Sequence, residues 1–298
     1  MSWRDVLNLV GETFRSFSRH GGTMLGGATA FFALLSAAPL LIIALAIAGS
    51  LTSASEAQAE LMRGMNSWLG PEGAHTIDRI LADVRASHSG KLASGLSIAV
   101  VLYGSTRLFA QVQRALNHMW DVHARSGRDF QRKALKQIKK RLLAFIMVLA
   151  CALVLLASVI VRSTLTAASR MMGSTFYERW HLVDQIGSFV VIVLLFALLF
   201  KVLPDVRISW RDAWIGAFVT AVLFTIGKLI VAAYLGHKSF SSTFGAAGSL
   251  VMLLLWGHYS AQIFYLGAAF TAAWAHRHGR TLEPTENASR ITIPDERD

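Results

Sequence analysis

Six hydrophobic runs separated by polar connections predict an all-α, polytopic membrane protein, and three observations carry that class. The chain has 298 residues, of which 54% are hydrophobic, with a mean hydropathy of +0.47. Only 16% are charged, against about 25% in ordinary soluble domains. The runs approach the ~20 residues that a helix needs to cross a hydrocarbon core. They lie at 24–49, 92–112, 142–161, 185–203, 213–235 and 248–274, and none contains Asp or Glu. The expected organisation is a segment 1–23 at the membrane surface, a transmembrane domain 24–274 and a polar tail 275–298.

The N-terminal segment places Trp3, Val6, Val10, Phe14 and Phe17 at helical spacing, with Arg4, Asp5, Glu12, Arg15 and Arg19 elsewhere on the wheel. That pattern predicts a helix lying in the cytoplasmic interface. Span 1 carries Pro39, which removes one helical hydrogen bond and crowds the carbonyl of Leu35, so a kink or a broken helix is expected there. Ser36 is placed to cap part of the freed backbone, and Gly22, Gly26, Gly27 and Ala30 permit close helix approach. The kink serves either packing or gating. The Ala46-Ile47-Ala48 tract mimics a cleavage site, but the preceding run is too long for a signal core. The long 1–2 connection holds the amphipathic set Ile77, Ile80, Leu81 and Val84 and is read as helical. The tail from Gly279, polar and holding Pro284 and Pro294, reads as disordered.

Topology follows from Lys and Arg. The N-terminus, the 2–3 loop, the 4–5 connection (with Lys201 at its border) and the C-terminus hold 19, and the other three connections hold 8. Cytoplasmic loops retain basic residues, so both termini are expected in the cytoplasm. The formal net charge of +11 is therefore read through its placement. The 2–3 loop, with Arg132, Lys133, Lys136, Lys139, Lys140 and Arg141, lacks the interleaved aromatics that stack bases. Its expected partner is the anionic headgroup layer of the bilayer, and nucleic acid is not expected.

Besides Lys201 at the border of the fourth span, two cations fall inside the spans, Arg107 and Lys228. An ionisable group at membrane depth costs about 2.5–3.5 kcal/mol on insertion scales. Either they line a path for an anionic substrate or they snorkel to the headgroups. Ser97, Gly104, Arg107, Gln111 and Arg114 share one helix face, and Lys228 shares a face with Ala221, Thr225 and Ala232. His258, Gln262, Tyr265 and Ala269 form one stripe on the last span. Polar groups at that depth need partners, which a substrate path or a helix–helix hydrogen bond would supply.

Catalytic templates find little. His118 and His123 miss the i, i+4 spacing of a zincin pair, and Walker A, Gly-x-Ser-x-Gly and Cys-x-x-Cys are missing from the sequence. The single cysteine, Cys151, lies in an apolar run and reads as packing. The expectation is a protein that is not an enzyme and that uses no metal or cofactor. The sequence sets no oligomeric state.

Several tracts resemble the YihY/BrkB family of bacterial inner-membrane proteins. They are Ala28-Thr29-Ala30-Phe31-Phe32 with Ser36 and Pro39-Leu40-Leu41, and Arg114-Ala115-Leu116-Asn117-His118-Met119-Trp120. The C-terminal third adds Leu203-Pro204, Trp210-Arg211, Gly216-Ala217, Tyr234, Ser242, Phe244-Gly245, Gly248-Ser249, Leu254-Leu255-Trp256 and Gly267-Ala268. The resemblance covers about 20–280 and implies a multi-pass inner-membrane protein. Family labels include a tRNA-processing ribonuclease (ribonuclease BN) and serum resistance. The ribonuclease label finds no metal-bound water or acid/base set here to support it. Where the family usually has Gly-Ala-Glu, this chain has Gly267-Ala268-Ala269, so a carboxylate is missing from the stripe of His258 and Gln262. The leading expectation is a transporter or flippase-like protein for an anionic solute or lipid headgroup. A non-transporting envelope scaffold is the alternative.

Reporter fusions test the topology. Signals from the N-terminus, the 128–141 loop and the C-terminus should all be cytoplasmic, and a periplasmic signal from the basic loop would reverse the model.

Overall fold

Long unbroken helices follow from apolar runs whose backbone polar groups have no water to bond and so must pair within each segment. The computed structural model describes residues 3–51, 107–124, 174–236, 248–280, 282–285 and 288–290, with separate positions between 55 and 82 and between 139 and 154. Helix α1 spans Trp3–Arg19, α2 Gly22–Leu51 and α3 residues 107–119. Strand β1, Val122–Ala124, precedes α4, Ser174–Val202. Strand β2, Val206–Arg207, leads to α5, Trp210–Gly236, and then to α6, Gly248–Arg277. Two short strands close the chain, β3 at Glu283–Pro284 and β4 at Ala288–Arg290.

Among the described residues, Gln185–Val202 and Trp210–Ile230 are long and apolar enough to cross a membrane, and Gly22–Ser36, the first half of α2, is apolar as well. The outer faces of α4 and α5 leave Ile186, Val190, Phe218, Leu229 and Ile230 more than half exposed. Large apolar side chains left exposed in this way suit lipid. Of the spans read at 92–112 and 142–161, residues 107–112 and the described positions from 142 to 154 are helical, and the remainder lies outside the described residues. Of the set in the 1–2 connection, Ile77 is helical and buried, while Ile80, Leu81 and Val84 lie outside the described residues.

Helix α6 is the hub, packed against α1, α2 and α5, while α4 packs on α5. The α5–α6 contact is an antiparallel interlock of two Gly-x-x-x-Thr tracts, Gly216–Thr220 and Gly267–Thr271. A Cβ built on Gly216 would overlap Thr271 Oγ1 and lie 3.0 Å from its Cβ, and one on Gly267 would overlap Thr220 Oγ1 and lie 2.9 Å from its Cβ. Each threonine hydroxyl donates to the glycine carbonyl of its own tract, Thr220 to Gly216 O and Thr271 to Gly267 O, both at 2.7 Å. The hydroxyls are thereby satisfied within their helices, and each side chain fills the notch opposite. Small residues matter here because lipid gives apolar helices no hydrophobic reason to associate, leaving close packing to do so.

Helix α2 runs without interruption through Pro39, so the expected break is not found. The buried Ser36 hydroxyl donates to the carbonyls of Phe32 at 2.9 Å and Ala33 at 3.1 Å, not to Leu35. An i−4 carbonyl is within easy reach of a helical serine hydroxyl, whereas the Leu35 carbonyl is only one residue away. The tail also departs from expectation. Residues 275–277 complete α6, which ends in a Schellman turn with Gly279 at φ 68° and Arg280 N donating to Ala275 O at 3.0 Å. Beyond it β3 pairs antiparallel with β2, and β4 pairs antiparallel with β1. Leu282 is buried between these contacts. Backbone pairing with two loops orders a polar segment that composition alone reads as disordered. Residues 291–298 lie outside the described residues.

Gly216→Ala should destabilise the protein by about 1–3 kcal/mol, the usual cost of overpacking. Combining it with Thr271→Ala should recover part of that loss, because the overlapping hydroxyl is gone. Thermal melts in one detergent test this, and strictly additive single losses would argue against the interlock.

Candidate functional site: the polar seam of α6 and the cavity at its C-terminal end

The stripe on α6 faces α2. Tyr265 is fully buried, and its Oη lies 2.6 Å from Thr29 Oγ1. Since the Thr29 hydroxyl donates to Leu25 O at 2.8 Å, the phenol is the donor to Thr29. Tyr265 is therefore engaged in a helix–helix bond. One turn on, Gln262 Nε2 and His258 Nε2 are 2.7 Å apart. With the amide donating, the imidazole proton sits on Nδ1, a buried atom without a hydrogen-bond partner among the described residues. Gly26 permits this seam, because a Cβ there would lie 3.0 Å from Gln262 Cγ and 3.4 Å from His258 Nδ1. Ala269, at the position where the family's Glu was expected, is fully buried.

The other sequence-predicted residues lie apart from this seam. Gln111 is buried and accepts from Arg114 at 3.0 Å, whereas Arg107 on the same helix is exposed. Ser97 and Gly104 lie outside the described residues. Lys228 borders a crevice with Phe224, Gly227, Trp256, Tyr259, Ser260 and Ile263 whose volume is about 10 Å³. That is the space of a single water. Arg107, Lys228 and the α6 stripe are thus not gathered into one chamber.

The roomier space lies where the C-terminal ends of α1, α3 and α6 meet. A cavity of about 410 Å³ is lined by Glu12, Arg15, Ser16, Arg19, His20, Met119, Trp120, Asp121, Ala272, Ala273 and His276. Its two carboxylates are engaged. Glu12 takes Arg277 Nε at 3.0 Å and Nη2 at 2.8 Å, and Asp121 Oδ1 lies 3.0 Å from His20 Nε2. Asp121 holds a left-handed backbone, φ 54°, which a short polar residue tolerates and which turns the chain from α3 into β1. Trp120 closes the wall by donating from Nε1 to Ala268 O at 2.9 Å.

Two buried carboxylates behind this cavity escaped the sequence reading. Asp205 Oδ2 accepts from Gln113 at 3.1 Å and Asn117 at 2.9 Å, its N–H donates to Asn117 Oδ1, and its carbonyl takes Thr285 N at 3.0 Å. Asp212 forms a cap with Ser209 at the start of α5 and pairs with Arg280 at 2.9 Å. The Ser209-x-x-Asp212 spacing is a capping signal legible in the sequence. Asp205 has only its place after Leu203-Pro204 to mark it.

The chain matches the family model described as virulence factor BrkB over residues 13–292, and it belongs to that family. It is 26% identical over 273 residues to a UPF0761 membrane protein of Verminephrobacter eiseniae, covering 91% of this chain and 62% of that one. To YfkH of Bacillus subtilis, named a ribonuclease-like protein, it is 25% identical, covering 94% and 99%. A UPF0761 membrane protein of Tolumonas auensis is 28% identical, with 84% and 79% covered. The chain thus spans less than two thirds of the Verminephrobacter relative and nearly all of the Bacillus one. No solved structure matches. The chain is a membrane protein by family.

The hydrogen bond from Arg277 holds the Glu12 carboxyl below the ordinary carboxylate range, and the same bond raises the Arg277 guanidinium. A depressed carboxylate stabilises the docked α1 fully above its ordinary pKa, and that contribution is lost as pH falls through the lowered value. Hydrogen exchange of α1 amides should therefore be slower in wild type than in Glu12→Gln at neutral pH, with the gap closing in acid. A gap unchanged by acid would show that the pair does not hold the helix.

Proposed function

We propose that the chain is a six-helix inner-membrane protein with cytoplasmic termini that transports or flips an anionic solute or lipid headgroup. The observation that carries this reading is the placement of cations. Arg15, Arg19 and His276 face a cavity of about 410 Å³ at the end of α6. Arg107 and Lys228 stand on spans that contain no Asp or Glu. The same four segments that hold most of the basic residues meet at this end, through the His20–Asp121, Arg277–Glu12, Arg280–Asp212 and Asp205–Thr285 contacts. By the charge rule that face is cytoplasmic. In this reading the protein is not an enzyme. A scaffold without transport is the alternative, and the ribonuclease-like name of the Bacillus relative supplies a third reading, which no acid/base or metal set supports among the described residues.

Proteoliposomes separate the three. Reconstituted protein should accelerate either efflux of radiolabelled inorganic phosphate or transbilayer movement of a fluorescent phosphatidylglycerol, relative to empty vesicles. Arg107→Gln and Lys228→Gln should each lower that rate severalfold at unchanged melting temperature, since neutral residues insert more cheaply. Wild-type rates in both variants would mean that these cations snorkel. Cleavage of added RNA with neither flux would favour the nuclease.

A further inference from the structure

We propose that the cavity between α1, α3 and α6 is a binding site for the phosphate of an anionic phospholipid headgroup, held by Arg15 and Arg19. It rests on the reading above in one respect, the placing of this end of α6 at headgroup depth.

Helix α1 supplies both halves of the chemistry. Its inner side docks through buried Leu9 and Thr13, and Arg277 clamps Glu12 from α6. Its outer side leaves Trp3, Val6, Leu7, Val10 and Phe14 exposed, Trp3 by 75% and Phe14 by 56%. A helix with such a stripe seats it at the acyl-chain boundary with its cations among the headgroups. Arg15 and Arg19 then stand at phosphate depth, one helical turn apart, beside the cavity mouth.

Their valences are open. Among the described residues neither makes an ion pair, and Arg15 uses only Nε, on Gly11 O at 3.2 Å, leaving its terminal amino groups. The lining carboxylates are already hydrogen-bonded, Glu12 by Arg277 and Asp121 by His20, and Arg15 acts on Glu12 through its field, without an ion pair. Guanidinium groups match phosphate oxygens in a two-bond fork. The volume of about 410 Å³ falls in the range of roughly 300–1,000 Å³ typical of small-ligand sites, so it has room for the headgroup beyond the phosphate. A lipid, unlike free phosphate, is delivered to that depth by the same leaflet in which the apolar stripe on the far side of α1 is seated.

The test is native mass spectrometry of the detergent-purified full chain offered equal phosphatidylglycerol and phosphatidylcholine. Phosphatidylglycerol should be retained on the order of tenfold more. Arg15→Gln/Arg19→Gln should erase the preference, and Arg15→Lys/Arg19→Lys, which keeps the charge, should preserve part of it at matched melting temperature. Arg79→Gln, an exposed arginine of the 1–2 loop, should leave the preference in place. A preference lost in the loop variant and kept in Arg15→Gln/Arg19→Gln would overturn the site. So would arginine-dependent binding of inorganic phosphate without any lipid preference. An arginine-dependent preference without flux would keep this site and refute transport, whereas flux without the preference would refute the site and keep transport.

Discussion

The approach of α6 to its neighbours through glycine is the constraint on which the other contacts depend. In lipid, apolar side chains gain little by meeting one another, so helices associate where their backbones can come close enough for dense packing. The Gly216–Thr220 and Gly267–Thr271 tracts interlock α5 with α6, and Gly26 brings α2 against His258 and Gln262. With α6 held on two sides, its C-terminal end is fixed, and Arg277 and Arg280 reach Glu12 on α1 and Asp212 at the start of α5. Those pairs in turn position α1 and the β2 turn.

That end also brings four acids together. Glu12, Asp121, Asp205 and Asp212 lie close to arginines, histidines or amides from other segments. Two of them are buried, and a buried carboxylate is tolerable only with several donors. Asp205 has the amides of Gln113 and Asn117, and Asp212 has Ser209 and Arg280. The short β2–β3 and β1–β4 ladders add backbone pairing between the tail and two loops. Basic residues gathered by the charge rule become structural because these acids anchor some of them.

Helices α2, α4, α5 and α6 were legible because membrane crossing demands long apolar runs, and α1 because its periodicity is strong. The exposure of Trp3, Val6, Val10 and Phe14 follows the stripe read from the sequence. The Gly216–Thr271 interlock was not legible: both tracts are visible, but their pairing lies in the relative register of two helices, which periodicity along one helix does not encode. The tail strands were missed for a related reason. Two- and three-residue strands carry almost no pattern of their own, and Pro284 reads as a breaker although an edge strand accepts it. The cavity was missed because its cations, read one at a time on α1, looked like the solvated side of an interfacial helix.

Hydrogen-bond accounting divides the polar residues of the seam into two kinds. Thr29, Ser36, Thr220 and Thr271 donate to carbonyls of their own helices, and Tyr265 donates across to Thr29. They hold the bundle and have little left to offer a ligand. His258 keeps a buried Nδ1 without a partner among the described residues, and Arg15 and Arg19 keep open guanidinium groups facing the cavity. An unpaired buried nitrogen costs more than a bonded one, so it stands out against a seam otherwise satisfied. On this accounting Tyr265 belongs with the packing residues.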